Sequence, residues 1–107
     1  MAYSIRYFSV EVQETIMSLP VTLQARFILL TERMIQHGPH IGLPHTEALG
    51  HGLFELRLKG AEGIARVFFC MLVEQKIVML HSFIKKTQKI PEKELKIAKL
   101  RLKELKK

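Results

Sequence analysis

Aspartate and asparagine are both missing from this chain, and their absence removes several chemistries. All ten acidic residues among the 107 are glutamates; neither aspartate nor asparagine occurs. Paired-aspartate metal nucleases, aspartic-protease dyads and EF-hand calcium loops are therefore excluded as such. The single cysteine, Cys70, allows no intrachain disulfide, and the N-terminus lacks the basic-then-apolar pattern of a secretory signal. Both point to a cytoplasmic protein. No apolar run approaches the roughly 20 residues that span a bilayer; the longest are interrupted by Arg26, Glu32 or Glu74, so no membrane partner is expected. Internal repeats and Gly/Ser linkers are absent too, and residues 1–107 are expected to form one domain.

What the chain does have is basic charge, unevenly placed. The formal net charge is +7. Up to Phe83, seven basic residues face seven glutamates, so the excess lies wholly beyond it, where ten basic residues face three glutamates. A neutral body with a basic C-terminal arm favours a polyanionic partner, because phosphate contacts release counterions and steer encounter.

The periodicities describe an α+β domain. Tyr3 to Phe8 alternate as a short strand, and Ser9 can cap a short helix carrying Val12, Ile16 and Leu19. Pro20 suits the start of a second helix, in which Leu23, Phe27, Leu30 and Met34 recur at three- and four-residue spacing. His37-Gly38-Pro39 ends it, and Pro39 to Gly52 reads as a loop. The period then becomes two: Phe54, Leu56 and Leu58 alternate with Glu55, Arg57 and Lys59, a strand buried on one side and charged on the other. Ile64–Val73 and Lys76–Ile84 complete a predicted antiparallel meander. A last helix begins near Pro91, with Leu95, Ala98, Leu102 and Leu105 on one stripe and Lys96, Lys99, Lys103, Lys106 and Lys107 on an adjacent arc. Ile97 and Leu100 form a second apolar side, consistent either with simple docking or with a face awaiting a partner.

Candidate chemistry lies in few places. His37, His40, His45 and His51 with Glu47 are metal-ligand types, but their Pro/Gly-loop spacing preorganises no site, and exposed loop histidines are the expectation; no metal or other cofactor is predicted. Cys70 reads as a buried small hydrophobe. Arg57 and Lys59 share a strand face, Arg66 follows the next turn, His81 is near the end of the last strand and Lys85-Lys86 immediately follow it, so these groups can converge at one end of the sheet. Such a cluster suits RNA cleavage through the ribose 2′-hydroxyl, which needs a proton removed, a phosphorane stabilised and a leaving 5′-oxygen protonated. Each residue also has a plainer use: Arg57 pairing with Glu55 or Glu62, His81 as a half-buried strand residue, the lysines as phosphate contacts. By themselves the residues favour a basic nucleic-acid-binding domain over an enzyme.

The element order, together with Gly52-Leu53-Phe54-Glu55-Leu56-Arg57, Ala65-Arg66-Val67-Phe68-Phe69 and Leu80-His81-Ser82-Phe83-Ile84-Lys85-Lys86-Thr87-Gln88-Lys89-Ile90-Pro91, resembles the HigB-type, phage-derived branch of the RelE/ParE toxin superfamily over essentially the whole chain. The resemblance implies a small RelE-like α+β fold: an antiparallel sheet, two N-terminal helices packed on it and a basic C-terminal helix. It implies a type II toxin that cuts messenger RNA in the 30S ribosomal A site and is neutralised by a cognate antitoxin, commonly a helix-turn-helix DNA-binding protein. By position Arg66 is the catalytic arginine, Lys85 and Lys86 are phosphate-binding or acid/base groups, His81 is a further catalytic candidate and Arg57 supports them. Lys59, Lys89, Lys96, Lys99 and Lys103 are the remaining phosphate-binding candidates. Some RelE-type enzymes carry lysines where Leu53 and Glu55 stand and a tyrosine in the C-terminal segment, and other HigB-type proteins an aspartate near the end of the last strand. This chain has none of these, so the general base is left open, with His81 and a lysine of lowered pKa as the groups that could serve. A ParE-like gyrase inhibitor and a non-catalytic RNA-binding relic are the alternatives.

Overall fold

The computed structural model describes residues 2–86 and 89–107. Strand β1 (Ser4–Tyr7) leads into α1 (Val10–Met17) and α2 (Val21–His37), followed by β2 (Thr46–Gly50), β3 (Leu53–Gly60), β4 (Gly63–Leu72), β5 (Lys76–Lys85) and α3 (Glu92–Leu105). The Ser9 side chain accepts a hydrogen bond from the Val12 amide at 3.2 Å, capping α1. Gly38, at a φ of +103°, ends α2 with its N–H on the Met34 carbonyl at 2.8 Å.

The five strands form one sheet in the order β1-β5-β4-β3-β2. The meander of β3, β4 and β5 is antiparallel, as its turns predict, but β1 lies parallel to β5, with Ile5 beside Ile77 and Tyr7 beside Met79, so the sheet is mixed rather than antiparallel throughout. The expected loop over Pro39–Gly52 also needs correction. Its second half is β2, which pairs with β3 around a turn in which Gly50, His51 and Gly52 all have positive φ. Glycine punctuation hides a strand only five residues long.

Each sheet face carries its own core. On one, Ile16, Leu23, Phe27, Leu30 and Met34 of α1 and α2 pack on Leu56, Val67, Phe69, Ile77 and Met79. On the other, Ala98 and Leu102 of α3 pack on Leu53, Phe68, Cys70, Val78 and Leu80. The predicted stripe of α3 is thus its docked face, while Leu100 on the second apolar side is 63% exposed. Cys70 is buried as expected, and burial pushes its thiol pKa up, against a weaker opposing pull from Lys106.

Close approach of α2 to the sheet demands Gly60. A Cβ there would lie 3.0 Å from the Thr22 Cβ and 3.2 Å from Leu23 Cδ2, and would also meet the Thr22 hydroxyl. Thr22 cannot turn aside freely, because Glu62 accepts from both its amide, at 3.2 Å, and its hydroxyl. Gly60→Ala is therefore expected to destabilise the fold by about 1–3 kcal/mol, read as a lower urea midpoint with unchanged slope.

Candidate nucleic-acid interface

Opposite Phe68, β5 carries a bulge. Phe69 pairs with Met79 but Phe68 pairs with His81, which leaves Leu80 as the extra residue. Strict alternation from Ile77 and Met79 would aim His81, Phe83 and Lys85 at α1 and α2. The bulge turns them to the α3 side. There Arg57, Arg66 and Phe83 stand in one cross-strand row, with Ile64 and Lys85 in a neighbouring row. His81 and Lys85 are both diagonal neighbours of Arg66, a separation of about 7–8 Å between backbones.

Arg57 and Arg66 are directly opposite each other, an arrangement that repels unless a carboxylate intervenes. Glu55 supplies it. Its side chain is fully buried, accepts from Arg57 Nε at 2.8 Å through one oxygen, and accepts from Arg66 Nη1 through the other. Arg57 Nη2 donates in turn to Glu47, giving a chain Glu47–Arg57–Glu55–Arg66. Burial lowers the Arg57 pKa, but its hydrogen bonds to Glu55 and Glu47 outweigh that, and the net direction is up. The Arg66 side chain is only 10% exposed, and its Nε is buried with no acceptor among the described residues. A guanidinium has five N–H donors, so both arginines keep donors for a ligand while Glu55 fixes their planes.

Of the pairings the sequence suggested for Arg57, Glu55 is realised; Glu62 instead caps the start of α2 through Thr22. His81 is committed to α3: its Nε2 meets Glu94 Oε1 at 2.6 Å, and its Nδ1 lies 3.5 Å from Arg101 Nη1. Arg101 also donates to the Leu80 carbonyl at 2.7 Å and lies over the Phe8 ring. Lys85 is half-buried and Lys86 exposed, and neither side chain has an ion pair or hydrogen bond among the described residues. Thr87 and Gln88 of the third motif lie outside the described residues. Lys96, Lys99 and Lys103 are exposed along α3, and Lys89 is exposed just before it.

Sequence reasoning missed part of the site. Past the end of β2, a cleft of about 300 Å³ is lined by Arg57, Lys59, Ile64 and Arg66 together with Arg26 of α2 and Pro44 and His45 of the preceding loop. Helical spacing puts Arg26 off the apolar stripe of α2, and no sequence signal links it to β3. The buried role of Glu55 was half-visible, since a carboxylate two residues before Arg57 shares its strand face. The loop histidines do not gather: His40 Nδ1 bonds the buried Thr46 hydroxyl at 2.9 Å, His45 lines the cleft and His51 sits in the β2–β3 turn. Among the described residues no three metal-ligating side chains converge, and no helix is long and apolar enough to cross a membrane.

Comparison with known proteins agrees with this architecture. The family described as "Phage derived protein Gp49-like (DUF891)" matches residues 14–103. No curated protein matches the chain in sequence. Among solved structures, a mutant of the E. coli toxin RelE in the free state superposes with a TM-score of 0.57 at 10% identity, covering 98% of this chain and 99% of that one. At that identity the likeness concerns the fold, which is the RelE fold.

Proposed function

Because the chain belongs to the phage-derived Gp49-like family, a family of RelE/HigB type, we propose that it is the toxin of a type II toxin–antitoxin pair, acting as a ribosome-dependent messenger-RNA endonuclease. One observation carries the enzymatic part: two facing arginines oriented by a single buried carboxylate, with Lys85 on the same face. In the proposed reaction the ribose 2′-oxygen attacks phosphorus and the bond to the 5′-oxygen breaks. The products are a 2′,3′-cyclic phosphate and a 5′-hydroxyl. Arg66, supported by Arg57, holds the scissile phosphate and balances the charge that grows on the phosphorane. In this reading Lys85 and Lys86 add charge and give the leaving oxygen its proton. With His81 Nε2 donating to Glu94, the nitrogen left to accept the 2′-hydroxyl proton is Nδ1, beside Arg101.

The exposed lysines of α3, Lys96, Lys99 and Lys103, with Lys89 ahead of the helix, then dock on ribosomal RNA near the 30S A site, a contact that positions without reading sequence. Cytoplasmic location and neutralisation by a helix-turn-helix antitoxin belong to the same proposal. Purified protein is expected to cut message on programmed ribosomes. Lys85→Ala is expected to cut at least tenfold more slowly with an unchanged melting temperature, since Lys85 has no described partner to lose. Gyrase inhibition with the message left intact would instead establish the ParE-like alternative.

A further inference from the structure

The positive charge of the cleft is not spread evenly. Arg57 and Arg66 are matched by Glu47 and Glu55, whereas the side chains of Arg26 and Lys59 have neither an ion pair nor a hydrogen bond among the described residues. Among the described residues, none that lines the cleft is acidic. Its unneutralised end is therefore the one away from the Arg66 fork, and that end has charge left for an anion beyond the one held on Arg66.

That end is also built in advance. The His45 carbonyl accepts the Arg57 amide at 2.8 Å, tying the loop to β3. Thr46, fully buried, accepts from the Gly42 amide at 2.9 Å and bonds His40 Nδ1, which closes the loop on itself. Pro44 and His45 are thus held against the β3 edge. Lys59 stands two residues beyond Arg57 on the same strand face, about 7 Å away, roughly the reach of one nucleotide along a strand. Pro44 and Ile64 give the cleft apolar walls against which a sugar or base can lie.

We infer that Arg26, Lys59 and His45 form a second anion subsite that takes the RNA phosphate adjacent to the one held on Arg66. The subsite rests on the RNA-cleavage reading and extends it from one phosphate to two. An oligonucleotide bound this way runs along the β3 edge, and Arg26, on a helix of the opposite sheet layer, completes its path.

Two uncleavable RNAs separate the subsites: a dinucleotide with one phosphate and a trinucleotide with two, each 2′-deoxy at every attacking position, titrated against the full-length protein. Wild type is expected to bind the trinucleotide at least fivefold tighter, with a log–log salt slope steeper by about 0.7. Arg26→Ala is expected to lose that gain and the extra slope while binding the dinucleotide like wild type; Arg26 is exposed and unpaired, so the variant folds. An undiminished gain in Arg26→Ala, or equal weakening of both RNAs, would overturn the subsite alone and favour an acidic protein segment as the ligand of Arg26. Wild-type protein that binds neither RNA would overturn the cleavage reading together with the subsite.

Discussion

Arg66→Ala is expected to slow ribosomal message cleavage at least tenfold, about 1.4 kcal/mol of lost transition-state stabilisation, and to destabilise the protein as well. The second effect follows from Glu55. With Arg66 gone, a fully buried carboxylate is left with Arg57 alone, and breaking a buried pair costs about 3–5 kcal/mol. In a domain of this size that lowers the melting temperature by about 10 °C or more, yet total stabilities of about 5–15 kcal/mol keep most of the protein folded at 25 °C. The two effects separate in Glu55→Gln/Arg66→Ala, which removes both charges. Melting temperature should recover by half or more, while cleavage stays low, because the glutamine restores the interior without restoring the phosphate fork. Recovery of cleavage alongside stability would remove Arg66 from the site and leave it a structural ion-pair partner.

Truncation after Pro91 is expected to have the largest effect on stability. Removing α3 uncovers Leu53, Phe68, Cys70, Val78 and Leu80, all at most 4% exposed in the intact protein, and discards the bonds of Glu94 to His81 and of Arg101 to the Leu80 carbonyl. A fully buried large apolar side chain contributes about 1.5–3 kcal/mol, so partial exposure of this set approaches the whole stability of the domain. Cys70 reports the loss directly. Its thiol is buried and its pKa raised in the intact chain, so it should react slowly with a disulfide reagent at neutral pH and at least tenfold faster after truncation. A truncated protein that melts within a few degrees of wild type and keeps Cys70 unreactive would show that α3 is an appendage rather than the cover of a second core.

Much of this arrangement is legible in the amino-acid order, for local reasons. The three- and four-residue spacing of Leu23, Phe27, Leu30 and Met34 makes α2, and alternation through Phe54 to Lys59 puts Arg57 and Lys59 on one face. Non-local features are not legible in the same way. Parallel pairing of β1 with β5 leaves no turn between them to read, and the bulge at Leu80 breaks the alternation from which the direction of His81 would be inferred. The expectation of one buried and one charged side for β3 holds for Arg57 and Lys59 but not for Glu55, a charged-side residue with no solvent exposure. Its burial depends on two arginines, one of them on the neighbouring strand. Arg26 joins the cleft only because α2 packs closely over Gly60, a tertiary contact that helical periodicity does not encode.

The most direct measurement is primer extension on ribosomes programmed with two messages that differ only by a 2′-deoxy substitution at the mapped cleavage position. Attack by the ribose 2′-oxygen, assisted by the Arg66 fork, predicts cutting of the all-ribose message and none at the same position of the substituted one. Equal cutting of both messages, or of neither, would contradict a toxin that breaks RNA through its own 2′-hydroxyl.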